Sequence, residues 1–232
     1  SLLTAMLVTG AVLHAVPAQA APEADTRVAE AARSRGGRAL AAPVKRKAPV
    51  NIPLADGSTA LHWAVHYDAA DQVELLLGAG ATVGATNDYG VMPLYLAATN
   101  GNAALVERLM KAGAKANAAL PTGETVLMAA ARTGRPAAVA ALLAAGADPN
   151  GKQASKGQTA LMWAAAEGHL DAARLLLDKG ADVSARAVSG FTPLMFAARE
   201  PSIDLVRMLV DRGADVNRSE EHTSELQSRL HL

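Results

Sequence analysis

Gly157-Gln158-Thr159-Ala160-Leu161-Met162-Trp163-Ala164-Ala165 is one of five spellings of the same phrase in this 232-residue chain. The others are GSTALHWAV from Gly57, GVMPLYLAA from Gly90, GETVLMAAA from Gly123 and GFTPLMFAA from Gly190, so the steps are 33, 33, 34 and 33 residues. Each phrase is followed by a Gly-Ala pair, at Gly80, Gly113, Gly146, Gly180 and Gly213. A period of this length marks a stacked array of units that bury their apolar faces only against one another. It moves the functional question from a pocket to a surface.

Within the unit that starts at Gly157, Thr159 stands where an N-cap is wanted, its hydroxyl able to accept from first-turn N–H groups. Pro93 and Pro193 follow the corresponding position at N1, where a missing N–H costs nothing. Leu161, Ala164 and Ala165 have the spacing of one buried helix stripe. Gly168 ends that helix, as Gly101 and Gly134 do in other units, and Asp171 starts a second one carrying Leu175, Leu176 and Leu177. Gly180 stops the second helix, and a loop then leads to Gly190. The pattern predicts helix, turn, helix, hairpin in every unit, with no strands of a core sheet: an all-α solenoid.

These residues resemble the ankyrin repeat family. Thr59-Ala60-Leu61-His62-Trp63-Ala64 approximates its Thr-Pro-Leu-His-x-Ala segment, and Gly213-Ala214-Asp215-Val216-Asn217 matches its Gly-Ala-Asp-Val-Asn segment, nearly repeated from Gly146 to Asn150. Units are expected at 56–88, 89–121, 122–155, 156–188 and 189–217, after a degenerate unit or cap over 21–55. Pro43 would fall inside the second helix of that first unit, which is therefore expected to be short or broken. Asp68 and Pro201 occupy places where the helix–helix glycine is expected, and Met92 replaces a capping threonine. One extra residue between Asn150 and Gly157 is expected to lengthen its hairpin.

The ends read differently. Leu2 to Val16 is apolar but too short to span a bilayer, and Ala18 and Ala20 fit a signal-peptidase site, so residues 1–20 read as a signal peptide that lacks its basic start. Export follows as an expectation, to a bacterial periplasm or outside the cell. Residues 218–232 read as a non-native tail: Arg218 to Ser228 resembles the in-frame translation of a common sequencing adapter. The natural gene is then expected to continue past Asn217.

Composition narrows the chemistry. Half the residues are hydrophobic yet 3% are aromatic, which suits short, closely packed helices. With 22 basic and 22 acidic residues the net charge is zero, so no long-range field recruits nucleic acid or an anionic membrane. Seven Lys/Arg do cluster between Arg27 and Lys47, and they read as a solvated terminal segment. There is no cysteine, hence no thiol nucleophile, disulfide or thiolate zinc site. His62 and His66 have a spacing able to hold a metal, but no third ligand stands at an obvious offset; within the family the first of them makes a structural hydrogen bond between units. Trp63 and Trp163 share one repeat position with Leu96, Ala129 and Phe196, which points to packing. Neither a phosphate loop nor a paired-carboxylate site is legible. No catalytic residue, metal or cofactor is expected.

What the resemblance implies is partner binding through hairpin tips and first helices on a concave side. At the tips this selects Tyr89, Val91, Glu124, Lys156, Gln158 and Phe191. On the first helices it selects His66, Tyr67, Thr99, Asn100, Arg132, Thr133, Glu167 and Arg199. Tyr67, Tyr89, Phe191 and Arg132 are the expected anchors, since aromatic and Arg side chains carry most interface energy; Phe191 is expected to face solvent. A monomeric scaffold for another protein is the leading expectation. The alternative is a regulatory arm of a longer protein whose catalytic or membrane domain lies beyond Asn217.

Overall fold

A computed structural model of the chain describes residues 25–34, 37–200 and 202–216. The signal-like run, Pro201 and the adapter-like tail lie outside them. Among the described residues twelve helices form and no strand does. They come in pairs: α1 Arg27–Arg33 with α2 Gly37–Lys45, α3 Ala60–His66 with α4 Ala70–Gly78, and α5 Pro93–Asn100 with α6 Ala103–Lys111. Then follow α7 Val126–Arg132 with α8 Pro136–Ala144, α9 Ala160–Ala166 with α10 Leu170–Asp178, and α11 Pro193–Ala197 with α12 Ile203–Asp211. Each first helix packs on the first helix of the next pair, from α1 to α11, and most second helices form a parallel row behind them. The chain is an all-α solenoid.

Local chemistry explains the elements. Thr125, Thr159 and Thr192 cap α7, α9 and α11 by accepting the N–H of Met128, Met162 and Met195. Met92 offers no side-chain cap, and Pro93 at N1 removes one of the orphan N–H groups of α5 instead. Gly101, Gly134 and Gly168 turn the chain between helices at φ of 77°, 63° and 71°. Asp68 takes the same left-handed conformation at 53°, which Asp tolerates better than most residues, and its Oδ1 accepts from the amides of Asn100 and Asn102.

The core is a row rather than a ball. Leu76, Leu109, Leu142, Leu176 and Leu209 are fully buried at equivalent places in successive second helices. Leu61, Leu94, Leu127 and Leu161 make the matching row in the first helices. Each contributes about 1.5–3 kcal/mol of transfer free energy, and each needs a neighbouring unit to be covered.

Two loop expectations are answered directly. Four hairpins close with a hydrogen bond between residues three apart, as in Gly90 N–H to Asn87 O, whereas Gly157 N–H reaches Gln153 O, four back. The extra residue is absorbed there. In the last unit α11 stops at Ala197, shorter than the other first helices, and residues 198–200 form a turn leading to Pro201.

The first pair corrects an expectation. α2 runs nine residues, as long as the other second helices, with Pro43 inside it. Pro43 sits in the last turn, so it removes one intrahelical bond after the helix is established, and its carbonyl still accepts from Ala48 N–H. Buried Leu40 and Val44 tie the helix to the common core. Lys47, at φ 59°, takes the place that Gly80 holds one period later.

Candidate binding surface

Hairpins and first helices meet along one face, and side chains cross between units there. His62 Nε2 lies 3.0 Å from the Val91 carbonyl, which can only accept, so this nitrogen carries the proton. Nδ1 then accepts from the Thr59 N–H at 3.1 Å and the Thr59 hydroxyl at 2.9 Å. Burial pushes the His62 pKa down, which keeps the ring neutral. This is the inter-unit hydrogen bond expected of His62. His66 is exposed, its ring packed against Trp63 and Tyr67 at centroid distances of 5.8 and 4.9 Å.

One period on, Tyr95 takes the place of His62 and repeats its reach. Its hydroxyl donates to Glu124 Oε1 at 3.1 Å, again 29 residues away. Arg132 donates from one terminal nitrogen to the same Oε1 at 3.4 Å, and its guanidinium lies 5.9 Å from the Trp163 ring centroid. Burial first, and then the Glu124 charge, raise the Tyr95 pKa. Glu124 and Arg132 are thus brought together at mid-array, with Tyr95 below and Trp163 beside them.

The remaining surface residues divide by how firmly they are held. Tyr89 is 75% exposed at a hairpin tip, and that tip is fixed by Asn87, whose Oδ1 accepts from both Tyr89 N–H and Val91 N–H. Tyr67 is half-buried against Trp63. Lys156, Glu167 and Arg199 are exposed and share no hydrogen bond or ion pair with the others among the described residues. Asn100 is occupied, donating to the Val65 and His66 carbonyls and to Asp68. Thr99 and Thr133 bond back to their own helices, at Tyr95 O and Ala129 O. Gln158 is half-buried with its amide oxygen unpartnered.

Phe191 departs from its expected exposure. It is half-buried, 5.4 Å from the Phe196 ring, in a small cluster with Met162, Ala185 and Ala187. The residue before a capping threonine faces the first helices of its own and the preceding unit, as Glu124 faces Tyr95, so a phenyl ring there finds apolar company.

Sequence reasoning missed Tyr95, and read Trp163 for packing alone. The signal was present: Tyr95 follows His62 by one period and Glu124 follows Val91 by one period. Both indoles pack against the core, and their N–H groups are buried without an acceptor. Beside Trp63 a cavity of about 250 Å3 opens between two hairpins, floored by Trp63, Val91 and Leu96 and rimmed by Asp56, Ser58 and Asn87.

Among the described residues no helix is long and apolar enough to cross a membrane. No curated protein matches the chain. A family model, ankyrin repeats (3 copies), matches residues 61–153 and 127–220, which together span well over half of it. The chain belongs to the ankyrin repeat family, whose members are in general protein–protein interaction modules.

Proposed function

We propose that this chain is a non-catalytic interaction module that holds a protein partner on the face made by its hairpin tips and first helices, the side that the family's curvature makes concave. The observation that carries this reading is Tyr89, a large aromatic side chain three-quarters exposed on a hairpin tip fixed by two hydrogen bonds to Asn87. Rigid aromatic anchors lose little entropy on binding and dominate interfaces. Tyr67 and Arg132 supply further pre-positioned groups, while His66, Val91, Thr99, Asn100, Glu124, Thr133, Lys156, Gln158, Glu167 and Arg199 shape the same face. Phe191 moves from anchor to support for this face.

The module acts as a monomer in this reading and is exported, and the export rests on the apolar run and the Ala18-x-Ala20 pattern. The test is capture from an envelope fraction with the wild-type chain and with Tyr67→Ala/Tyr89→Ala. A partner retained by the former and lost by the latter, with the melting curve unmoved by more than a few degrees, supports the reading. Equal retention by both rejects it.

A further inference from the structure

The cavity beside Trp63 has the size, the wall and the charge of a receptor for one basic side chain. At about 250 Å3 it is smaller than the sites that hold whole small molecules, and it suits a single residue. Its floor is aromatic and aliphatic, from Trp63, Leu96 and Val91, and His62 and His66 complete the lining on the first-helix side. At its rim the Asp56 carboxylate accepts from the Ser58 N–H and hydroxyl, both at 3.0 Å, and those bonds hold the acid below the ordinary carboxylate range. Asp88, on the next hairpin, lies just outside the lining: its N–H donates to the Asp56 carbonyl at 3.1 Å, and its side chain is exposed.

Charge decides what fits. Among the described residues no lysine or arginine forms an ion pair with Asp56 or Asp88. At mid-array the arrangement is the opposite, since Glu124 already neutralises Arg132. The cation missing at the first site is one a partner brings.

We propose that this cavity takes a single Lys or Arg side chain from an extended segment of the partner, its alkyl stem on Trp63, Val91 and Leu96 and its cation at the Asp56 carboxylate, with the exposed Asp88 on the adjoining hairpin adding to the negative potential. This rests on the reading of the hairpin-and-helix face as a partner-binding surface and names what the partner presents there.

The chain has two tryptophans, which makes the test internal. The full 232-residue chain, 15N-labelled, is titrated with acetyl-Gly-Lys-Gly-amide while both indole N–H resonances are followed. The expected result is a saturable shift of the Trp63 signal with Trp163 unmoved, the same with the Arg tripeptide, and none with the Glu tripeptide. Asp56→Asn/Asp88→Asn weakens the lysine response at least tenfold; the first of these changes leaves an amide oxygen to accept from Ser58, and the melting curve checks the fold.

Several results overturn the proposal. A Trp63 signal still at rest at about 10 mM lysine tripeptide, beyond the millimolar range of a weak contact, is one. An equal shift with a norleucine tripeptide makes the occupant apolar, and an undiminished response in the double variant removes the role of the carboxylates. If any of these occurs while Tyr67→Ala/Tyr89→Ala still abolishes partner capture, the binding face stands and the basic-side-chain assignment alone fails. If capture is also indifferent to those tyrosines, the binding face itself fails.

Discussion

The side chain of Asn117 clamps Asp148 across the boundary between two units: its Oδ1 accepts the Asp148 N–H at 2.7 Å while its amide donates to the Gly146 carbonyl at 3.3 Å. Asn51 holds Gly80 and Thr82 in this way, and Asn150 holds Gly180 and Asp182. One amide thus satisfies a carbonyl left over at the end of a second helix and fixes the start of the following loop. At the equivalent place between the second and third helix pairs stands Gly84. The same boundary carries a crevice of about 540 Å3 between α4 and α6, lined by residues including Gly78, Ala104 and Lys111 and spanned by the Arg108–Glu74 ion pair.

Gly84→Asn should therefore stabilise the array. Position 84 has no positive φ, and an added Cβ meets nothing within 4 Å. Restoring the clamp to Gly113 and Lys115 is worth about 1 kcal/mol for its hydrogen bonds, and losing the glycine adds about 0.4–1 kcal/mol through the unfolded chain. Urea unfolding of Gly84→Asn beside Gly84→Ala separates the two contributions. An Asn variant no more stable than the Ala variant shows that the clamp contributes nothing there.

Leu142→Ala should cost about 3 kcal/mol, because a fully buried leucine leaves a cavity that packed helices cannot close. In a stack the damage spreads to both sides. Hydrogen exchange is expected to accelerate in α6 and α10 as well as in α8. Acceleration confined to α8 speaks against nearest-neighbour coupling. In the wild type, exchange should be slowest from Thr125 to Leu177 and fastest in the last unit.

His62 makes stability depend on pH. Its pKa is lowered in the folded chain from 6.5, so below that value the unfolded chain binds a proton that the folded chain refuses. Its contribution is complete above pH 6.5 and declines as pH falls toward the depressed folded value. A protonated ring also loses the Nδ1 lone pair that accepts from Thr59. Unfolding midpoints at pH 7.5 and pH 5, compared between wild type and His62→Gln, measure this. A pH dependence identical in both chains removes His62 as its source.

Phe191→Ala and Tyr89→Ala should behave differently. The first opens the Phe196–Met162 cluster and is expected to destabilise by about 1–3 kcal/mol, at the low end of aromatic truncations because the ring is half-buried. The second removes an exposed ring and should stay within about 0.5 kcal/mol. Thermal melts of the pair decide it, and equal losses would place Tyr89 in the packed structure.

The period made most of the fold legible, because glycines at fixed phase, capping threonines and buried leucines are local signals that recur in most of the units. Contacts between units were harder to see. Asn100 looked like a free surface residue because its partners, Val65, His66 and Asp68, lie in the preceding unit. Phe191 looked solvent-facing because the ring that covers it belongs to a helix whose depth in the stack has no sequence mark. Pro43 was read as a helix breaker from propensity, which tertiary packing of Leu40 and Val44 overrides near a helix end. Steps of 29 to 38 residues, not 3 or 4, are the register in which this surface is written.

The central claim is that partners are held on the hairpin-and-first-helix face. Hydrogen exchange of the chain with and without a captured partner addresses it most directly. The account predicts added protection in peptides covering Trp63–Tyr67, Asn87–Val91 and Arg132–Thr133, with α4, α6, α8 and α10 unchanged. Protection gathered on those second helices instead would put the interface on the opposite side and contradict it.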